Sequence, residues 1–223
     1  MLSKEKLASM IDHTLINPDS TKKDVIALCE EARRYGFGGV AINPFYVSLA
    51  AKLLRNTSVK VISALGFPFG ATLTEVKVFE ARKVMENGAH EIDMMINVGA
   101  LRSKDYLAVR KDIEAVVNTA HSYGNVLVKV IIETGFLTDE EKVYACEIAK
   151  EAHADFVKTS TGLYTGATVE DVKLIRKTVG KIMGVKASGG IRNLKDMLVM
   201  IKAGANRIGT STGVAILNEV GNE

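Results

Sequence analysis

The chain has 223 residues, 47% of them hydrophobic, which suffices for one large core and, in an α/β barrel of this size, for a single domain. Its 29 Lys and Arg against 26 Asp and Glu give a formal charge of +3, and the basic residues are spread among acidic ones, so nothing calls for a nucleic-acid partner. The opening MLSKEKLASM lacks an apolar core of signal-peptide length, and no later segment offers the roughly 18 uninterrupted apolar residues of a membrane span, so a soluble, cytoplasmic protein with no membrane partner is expected.

In chain order, MIDHTLI, GGVAINP, KVISALGF, HEIDMMIN, VLVKVIIE, DFVKTST, IMGVKASG and NRIGTS are short strand-like runs separated by longer amphipathic stretches. That alternation predicts βα units and a parallel sheet. Helix starts are marked by a hydroxyl or Asn three residues ahead of an acid: Thr21 and Asp24, Thr72 and Glu75, Thr138 and Glu141, Thr168 and Asp171, Asn193 and Asp196. The stretches that follow carry apolar residues at helical spacing, such as Val76, Phe79 and Val84, or Val172, Ile175 and Val179. YGFGGVAI, NGAHEIDMM, EAHADFVK and AGANRIGT reuse one helix-to-strand turn, closed by glycine or a small equivalent. Cys29 and Cys146 each fall in a helical pattern and read as reduced core residues.

About eight strand-helix units in this length predict a (β/α)8 TIM barrel, one domain over residues 1–223 with a short N-terminal helical segment. The rival is an open doubly wound sheet, but no G-x-G-x-x-G follows a first strand and there is no P-loop.

Strands of a barrel are buried on both faces, so charged residues within them need a reason. Asp93 in EIDMMIN, Lys129 in LVKVII, Lys158 in FVKTST and Lys186 in GVKASG are the strong exceptions, with Asp12 in MIDHTL a fifth. A lone strand lysine usually sits at a sheet edge with its amine in water. A closed barrel has no edge, so these charges share the lumen and must pair with one another or do chemistry. Two ammonium groups ~4 Å apart repel by about 4 kcal/mol at an effective dielectric near 20, or roughly 3 pKa units, which would leave one a neutral amine. Lys158 is thus a candidate Schiff-base lysine, with Lys186 the cation that lowers its pKa and Asp93 the carboxylate that passes protons.

VKASGGIRN and RIGTSTG follow the seventh and eighth strands, the usual phosphate site of such barrels. His13 lies next to Asp12 on the opposite strand face and reads as structural, while His90, His121 and His153 fall in helix or helix-end positions without partner spacing. With no histidine or cysteine pair at ligand spacing, no catalytic metal is expected. Met94, Met95, Met197 and Met200 read as core filler.

IDHTLINPD, EIDMMINVGAL, VKVIIETG, FVKTSTG, VKASGGIR and RIGTSTG, in that order from about Ile11 to about Ile216, resemble the 2-deoxyribose-5-phosphate aldolase family of class I, TIM-barrel aldolases. The resemblance implies reversible cleavage of 2-deoxy-D-ribose 5-phosphate to acetaldehyde and D-glyceraldehyde 3-phosphate without metal or organic cofactor, in deoxyribonucleotide catabolism. It implies that Lys158 forms the imine, that Lys186 perturbs it, and that Asp93 works with Lys186 as a proton relay through water. With a protonated imine as electron sink, breaking the C3–C4 bond is expected to leave an enamine instead of a free carbanion. Thr161, Gly162, Gly189, Gly190, Gly209 and Ser211, with Ser188 and Thr210 beside them, match its substrate- and phosphate-holding loops. Asp12, Thr14 and Asn17 match its first-strand motif, and Lys129 matches a lumen lysine that pairs with an acid and takes no chemical step.

Two departures stand out: Ala41 occupies a place where some members carry a cysteine, and the ending NEVGNE lacks the tyrosine-bearing tail of others, which leaves proton transfer to water. Alternative readings are another imine-forming barrel aldolase or transaldolase, and a non-catalytic phosphosugar-binding barrel. Barrels of this kind commonly dimerise, so a homodimer or higher homo-oligomer is expected, although no patch in the sequence locates its interface.

Overall fold

The computed structural model describes residues 2–124 and 126–221; the last two residues of the NEVGNE ending lie outside the described residues. Eight parallel strands, β1 (Ile11–Leu15), β2 (Gly39–Ile42), β3 (Lys60–Leu65), β4 (Glu91–Met95), β5 (Leu127–Ile131), β6 (Phe156–Lys158), β7 (Gly184–Ser188) and β8 (Arg207–Thr210), follow one another around a closed barrel. The closure is β8 against β1, where Asp12 stands opposite Gly209. This is the (β/α)8 barrel that the strand rhythm predicts, and the open-sheet rival is excluded by the β1–β8 pairing.

Among the described residues the helices are α1 (Lys4–Ser9), α2 (Lys22–Tyr35), α3 (Val47–Leu53), α4 (Thr74–Glu86), α5 (Val98–Arg102), α6 (Tyr106–Ser122), α7 (Asp139–Glu151), α8 (Val169–Val179), α9 (Leu194–Ala203) and α10 (Gly213–Glu219). None is long and apolar enough to cross a membrane.

Side chains alternate strictly along the strands. The outward set, including Val40, Ile42, Ile92, Met94, Val128, Val130, Val157, Val185 and Ile208, joins Val172, Ile175, Val179, Met197 and Met200 in the apolar layer beneath the helices. Each such side chain contributes roughly 1.5–3 kcal/mol of burial, and together they hold the sheet closed. Cys29 and Cys146 lie in the same layer as free thiols, pushed up to about 11 and about 12 by burial. Met95 is buried as well, but on the inward parity.

Four of the five expected caps form. Thr21 and Thr138 make full capping boxes with Asp24 and Glu141, and Thr168 and Asn193 accept from the backbone N–H groups of Asp171 and Asp196. Thr72 does not cap. Helix α4 starts at Thr74 with Leu73 in the cap position, and the Thr74 hydroxyl donates to Asp112 instead.

The phase of α4 also departs from the expected stripe. Val76 and Phe79 are 48% and 62% exposed, while Lys77, Ala81, Val84 and Met85 face inward. The helix is rotated by a buried ion pair: Lys77 Nζ reaches Asp112 Oδ2 of α6 at 2.5 Å and the Met95 carbonyl at 3.0 Å.

The reused turn is real in all four places. Gly36, Gly88, His153 and Gly204 take positive φ, and in each case the next N–H donates back to the helix, as Phe37 to Ala32 and Ala154 to Ala149, both at 3.0 Å. At position 153 a histidine takes the left-handed conformation, at φ 57, where a glycine or small residue was expected.

Candidate active site

The inward parity of the strands assembles the charges. Asp93 and Lys129 are register partners across β4 and β5, and Lys158 and Lys186 across β6 and β7. All four are buried, as is Asp12. Lys158 Nζ donates to Asp93 Oδ2 at 2.8 Å, and Lys186 Nζ donates to the same oxygen at 2.7 Å. Lys129 takes the other oxygen, Oδ1, at 2.9 Å. Asp93 therefore bridges three lysines.

Below this centre lies an ion-pair layer in which sequence reading missed two members, Glu91 and Arg207. Lys129 also meets Glu91 Oε2 at 2.6 Å, and Lys186 meets Asp12 Oδ2 at 2.6 Å. Arg207 joins the two acids, with Nε on Asp12 Oδ1 at 2.9 Å and Nη1 on Glu91 Oε1 at 3.2 Å. Glu91 stands two residues before Asp93 and Arg207 two before Gly209, so strand parity was the signal that could have found them.

Counting charges explains which lysine holds its proton least firmly. Asp12, Glu91 and Asp93 face Lys129, Lys186, Arg207 and Lys158, so the cluster carries one cation too many unless one amine is neutral. Lys129 and Arg207 are each pressed by burial toward neutrality but held charged, above their usual values, by two carboxylates apiece. Burial likewise disfavours ionised Asp93, yet Lys129, Lys158 and Lys186 hold its carboxyl well below the usual range. Asp12, opposed by burial and favoured by Lys186 and Arg207, is also lowered. Lys158 has one oxygen, already shared, and its amine is lowered to about 8. Burial is the largest cause, opposed by Asp93 and reinforced by Lys186 and then Lys129. Lys186 lowers this amine as expected, but desolvation is the larger cause.

Above the charges a cavity of about 200 Å³ opens at the C-terminal ends of the strands. Its wall is formed by Thr14 of β1 and Asn17 beyond it, Thr161 and Gly162 after β6, Ser188 at the end of β7 with Gly189 and Gly190 beyond it, and Gly209 and Thr210 of β8 with Ser211 beyond them. Asp12 and Lys129 lie beneath it in the ion-pair layer. Gly189, at φ 92, has no room for a side chain, since a Cβ would fall 2.9 Å from Gly166 Cα. At Gly209 a Cβ would fall 2.6 Å from Ser188 Oγ and 3.2 Å from Lys186 Cε, so the glycine clears the lysine's path. The Thr210 hydroxyl donates to the Ile191 carbonyl at 2.7 Å and ties the β8 loop to the β7 loop. Arg192, which sequence reading passed over although it directly follows Gly-Gly-Ile, is the one charged residue of the wall among the described residues.

The histidines stand apart from this centre. His13 Nε2 lies 2.7 Å from Glu31 and its ring packs on Phe37. His90 Nδ1 accepts from the Val61 N–H. His121, expected to lack a partner, pairs with Asp155 at 3.2 Å, and Asp155 also accepts from the Val128 N–H.

The arrangement suits nucleophilic attack on a carbonyl by a desolvated amine, with a carboxylate and a second ammonium at hand to move protons. Comparison with known proteins agrees. Residues 6–219 match the family model described as DeoC/LacD family aldolase. The chain is 61% identical to the deoxyribose-phosphate aldolase of Thermococcus gammatolerans, covering 95% of each chain, and 60% identical to that of Thermococcus kodakarensis, covering 97% of each. It superposes with a TM-score of 0.91 on the tetrameric deoxyribose phosphate aldolase of Aeropyrum pernix, at 40% identity over 97% of this chain and 92% of that one. The chain belongs to the DeoC/LacD family of aldolases.

Proposed function

We propose that this protein is a deoxyribose-phosphate aldolase that cleaves 2-deoxy-D-ribose 5-phosphate reversibly to acetaldehyde and D-glyceraldehyde 3-phosphate, with Lys158 as its imine-forming residue. The single observation that carries the residue assignment is the amine of Lys158: buried, lowered to about 8, and sharing one Asp93 oxygen with Lys186.

The neutral fraction of Lys158 attacks the C1 aldehyde, and loss of water gives a protonated imine. The bond that then breaks is C2–C3, not C3–C4, because only the carbon next to the imine can leave its electron pair in an enamine. As the bond breaks, the C3 hydroxyl gives up its proton, which Asp93 accepts directly or through water and so becomes neutral beside the Lys186 ammonium, while the C3 oxygen becomes the aldehyde of the product. D-Glyceraldehyde 3-phosphate departs, the enamine takes a proton at C2, and water releases acetaldehyde from Lys158.

The backbone amides of Gly162, Gly189, Gly190, Gly209 and Ser211, with Arg192 nearby, form the proposed phosphate end. Thr14, Asn17 and Thr161 line the same cavity. Asp12 and Lys129 serve by fixing Lys186 and Asp93. The reaction calls on no metal or organic cofactor. We place it in the cytoplasm, in deoxyribonucleotide catabolism, carried out by a homo-oligomer.

Borohydride reduction with acetaldehyde or the sugar phosphate, followed by peptide mass mapping, tests the assignment. An adduct on the Lys158 peptide is expected. An adduct on Lys186 or Lys129 overturns the assignment, and its absence from protein that binds the sugar phosphate overturns the imine.

A further inference from the structure

Of the buried carboxylates among the described residues, Asp12, Glu91, Asp93, Asp112 and Asp171 each face a cation. Glu133 directs its oxygens elsewhere. It stands two residues beyond β5, fully buried, at φ 50 and ψ 68, a left-handed conformation disfavoured for any residue with a Cβ. Such an outlier persists where the surroundings over-determine it, and these surroundings are one loop. Oε2 accepts from the Thr161 backbone N–H at 2.9 Å, and Oε1 accepts from the Thr165 hydroxyl at 2.5 Å.

That loop, between β6 and α8, rests in turn on the loop after β7. The Ala167 N–H donates to the Gly189 carbonyl at 3.0 Å, and a Cβ on Gly189 would fall 2.9 Å from Gly166 Cα and 3.0 Å from Gly162 Cα. On the other side Gly135, two residues after Glu133, presses so closely on Thr165 that a Cβ there would fall 2.2 Å from its methyl. Three successive strand-end loops are therefore closely stacked, and the Glu133 carboxylate satisfies the buried Thr161 N–H and the half-buried Thr165 hydroxyl within the stack.

We infer that Glu133 is a positioning residue for phosphate: it holds Gly162 against Gly189 at the spacing an anion needs. This rests on the aldolase reading above for the identity of the substrate. Glu133 acts through the loop and touches neither Lys158 nor Asp93, so its effect falls on the phosphate end and spares the amine.

The test compares wild type, Glu133→Ala, Glu133→Gln and Thr165→Val. Inorganic phosphate binding is followed by calorimetry, sugar-phosphate cleavage by KM and kcat, and imine formation by borohydride trapping with acetaldehyde, which has no phosphate. Leaving the Thr161 N–H unsatisfied should weaken phosphate binding and raise KM by roughly tenfold in Glu133→Ala, with kcat and acetaldehyde trapping changed by less than about threefold. Glu133→Gln can still accept from Thr161 and donate to Thr165, so it should restore binding. Thr165→Val should weaken it by roughly threefold.

Unchanged phosphate affinity in folded Glu133→Ala overturns the inference, as does a fall in acetaldehyde trapping equal to the loss of phosphate binding. Should Glu133→Ala fail to fold, Thr165→Val decides by the same criteria. Phosphate binding is read without turnover. A wild-type protein that binds phosphate but cleaves nothing would therefore defeat the aldolase reading and leave the positioning role standing on the variants' affinities.

Discussion

Lys158 and Lys186 donate to the same atom, Oδ2 of Asp93, at 2.8 and 2.7 Å. Their ammonium groups cannot both be well satisfied there, and Lys186 has a second carboxylate, Asp12, while Lys158 has none. Lys186→Leu removes a positive charge beside the Lys158 amine and frees Asp93 to hold it. The Lys158 amine should rise from about 8 by ~1–2 units, short of its ordinary value because burial remains. The pH profile of acetaldehyde trapping should move alkaline by that amount; an unmoved profile would show that Lys186 does not tune the amine.

Glu91→Gln should act in the opposite direction, although Glu91 does not touch Lys158. Lys129 now divides itself between Glu91 and Asp93. Without the Glu91 charge it turns fully to Asp93, which then holds the Lys158 ammonium less. The trapping profile should move acid by roughly half a unit to one unit. A shift in the same direction as Lys186→Leu would refute the charge count.

Lys158→Met should abolish cleavage and stabilise the fold at neutral pH. The sign follows from linkage: the folded-state value, about 8, lies below the ordinary 10.5, so between those limits the unfolded chain binds more protons. The cost of burying this ammonium is present in full below about pH 8 and disappears as pH rises toward 10.5. Removing the amine leaves three cations against three carboxylates and should add about 1–3 kcal/mol at pH 7, declining toward pH 10, as read by urea denaturation across pH.

Lys77→Met leaves Asp112 a buried, uncompensated charge and takes a donor from the Met95 carbonyl. A loss of about 3–5 kcal/mol is expected, with most of it recovered in the Lys77→Met/Asp112→Leu pair, since an apolar pair of similar volume can replace a buried ion pair. A double-mutant cycle by chemical denaturation measures this; additive losses would mean that the two residues are not coupled.

The rhythm of eight strands, four of the five caps, the reused left-handed turn, and the inward charges Asp93, Lys129, Lys158 and Lys186 were legible in the chain. Each depends on neighbours a few residues apart, through strand parity, a hydroxyl three residues from its acid, or a turn conformation, so it is written locally. Composition does not carry what long-range closure brings together. Val76 and Phe79 matched a buried stripe, yet α4 turned to place Lys77 on Asp112, a partner 35 residues away. Glu91 and Arg207 looked like ordinary strand-end residues until β8 closed on β1 and put Asp12 between Arg207 and Lys186. Glu133 closed the strand-like run VLVKVIIE until the structure ended β5 at Ile131 and brought the β6 loop over its carboxylate. Which lysine loses its proton was decided only there, because a pKa in a barrel lumen depends on how completely water is excluded and on how many carboxylates each amine must share, and both are properties of the closed structure.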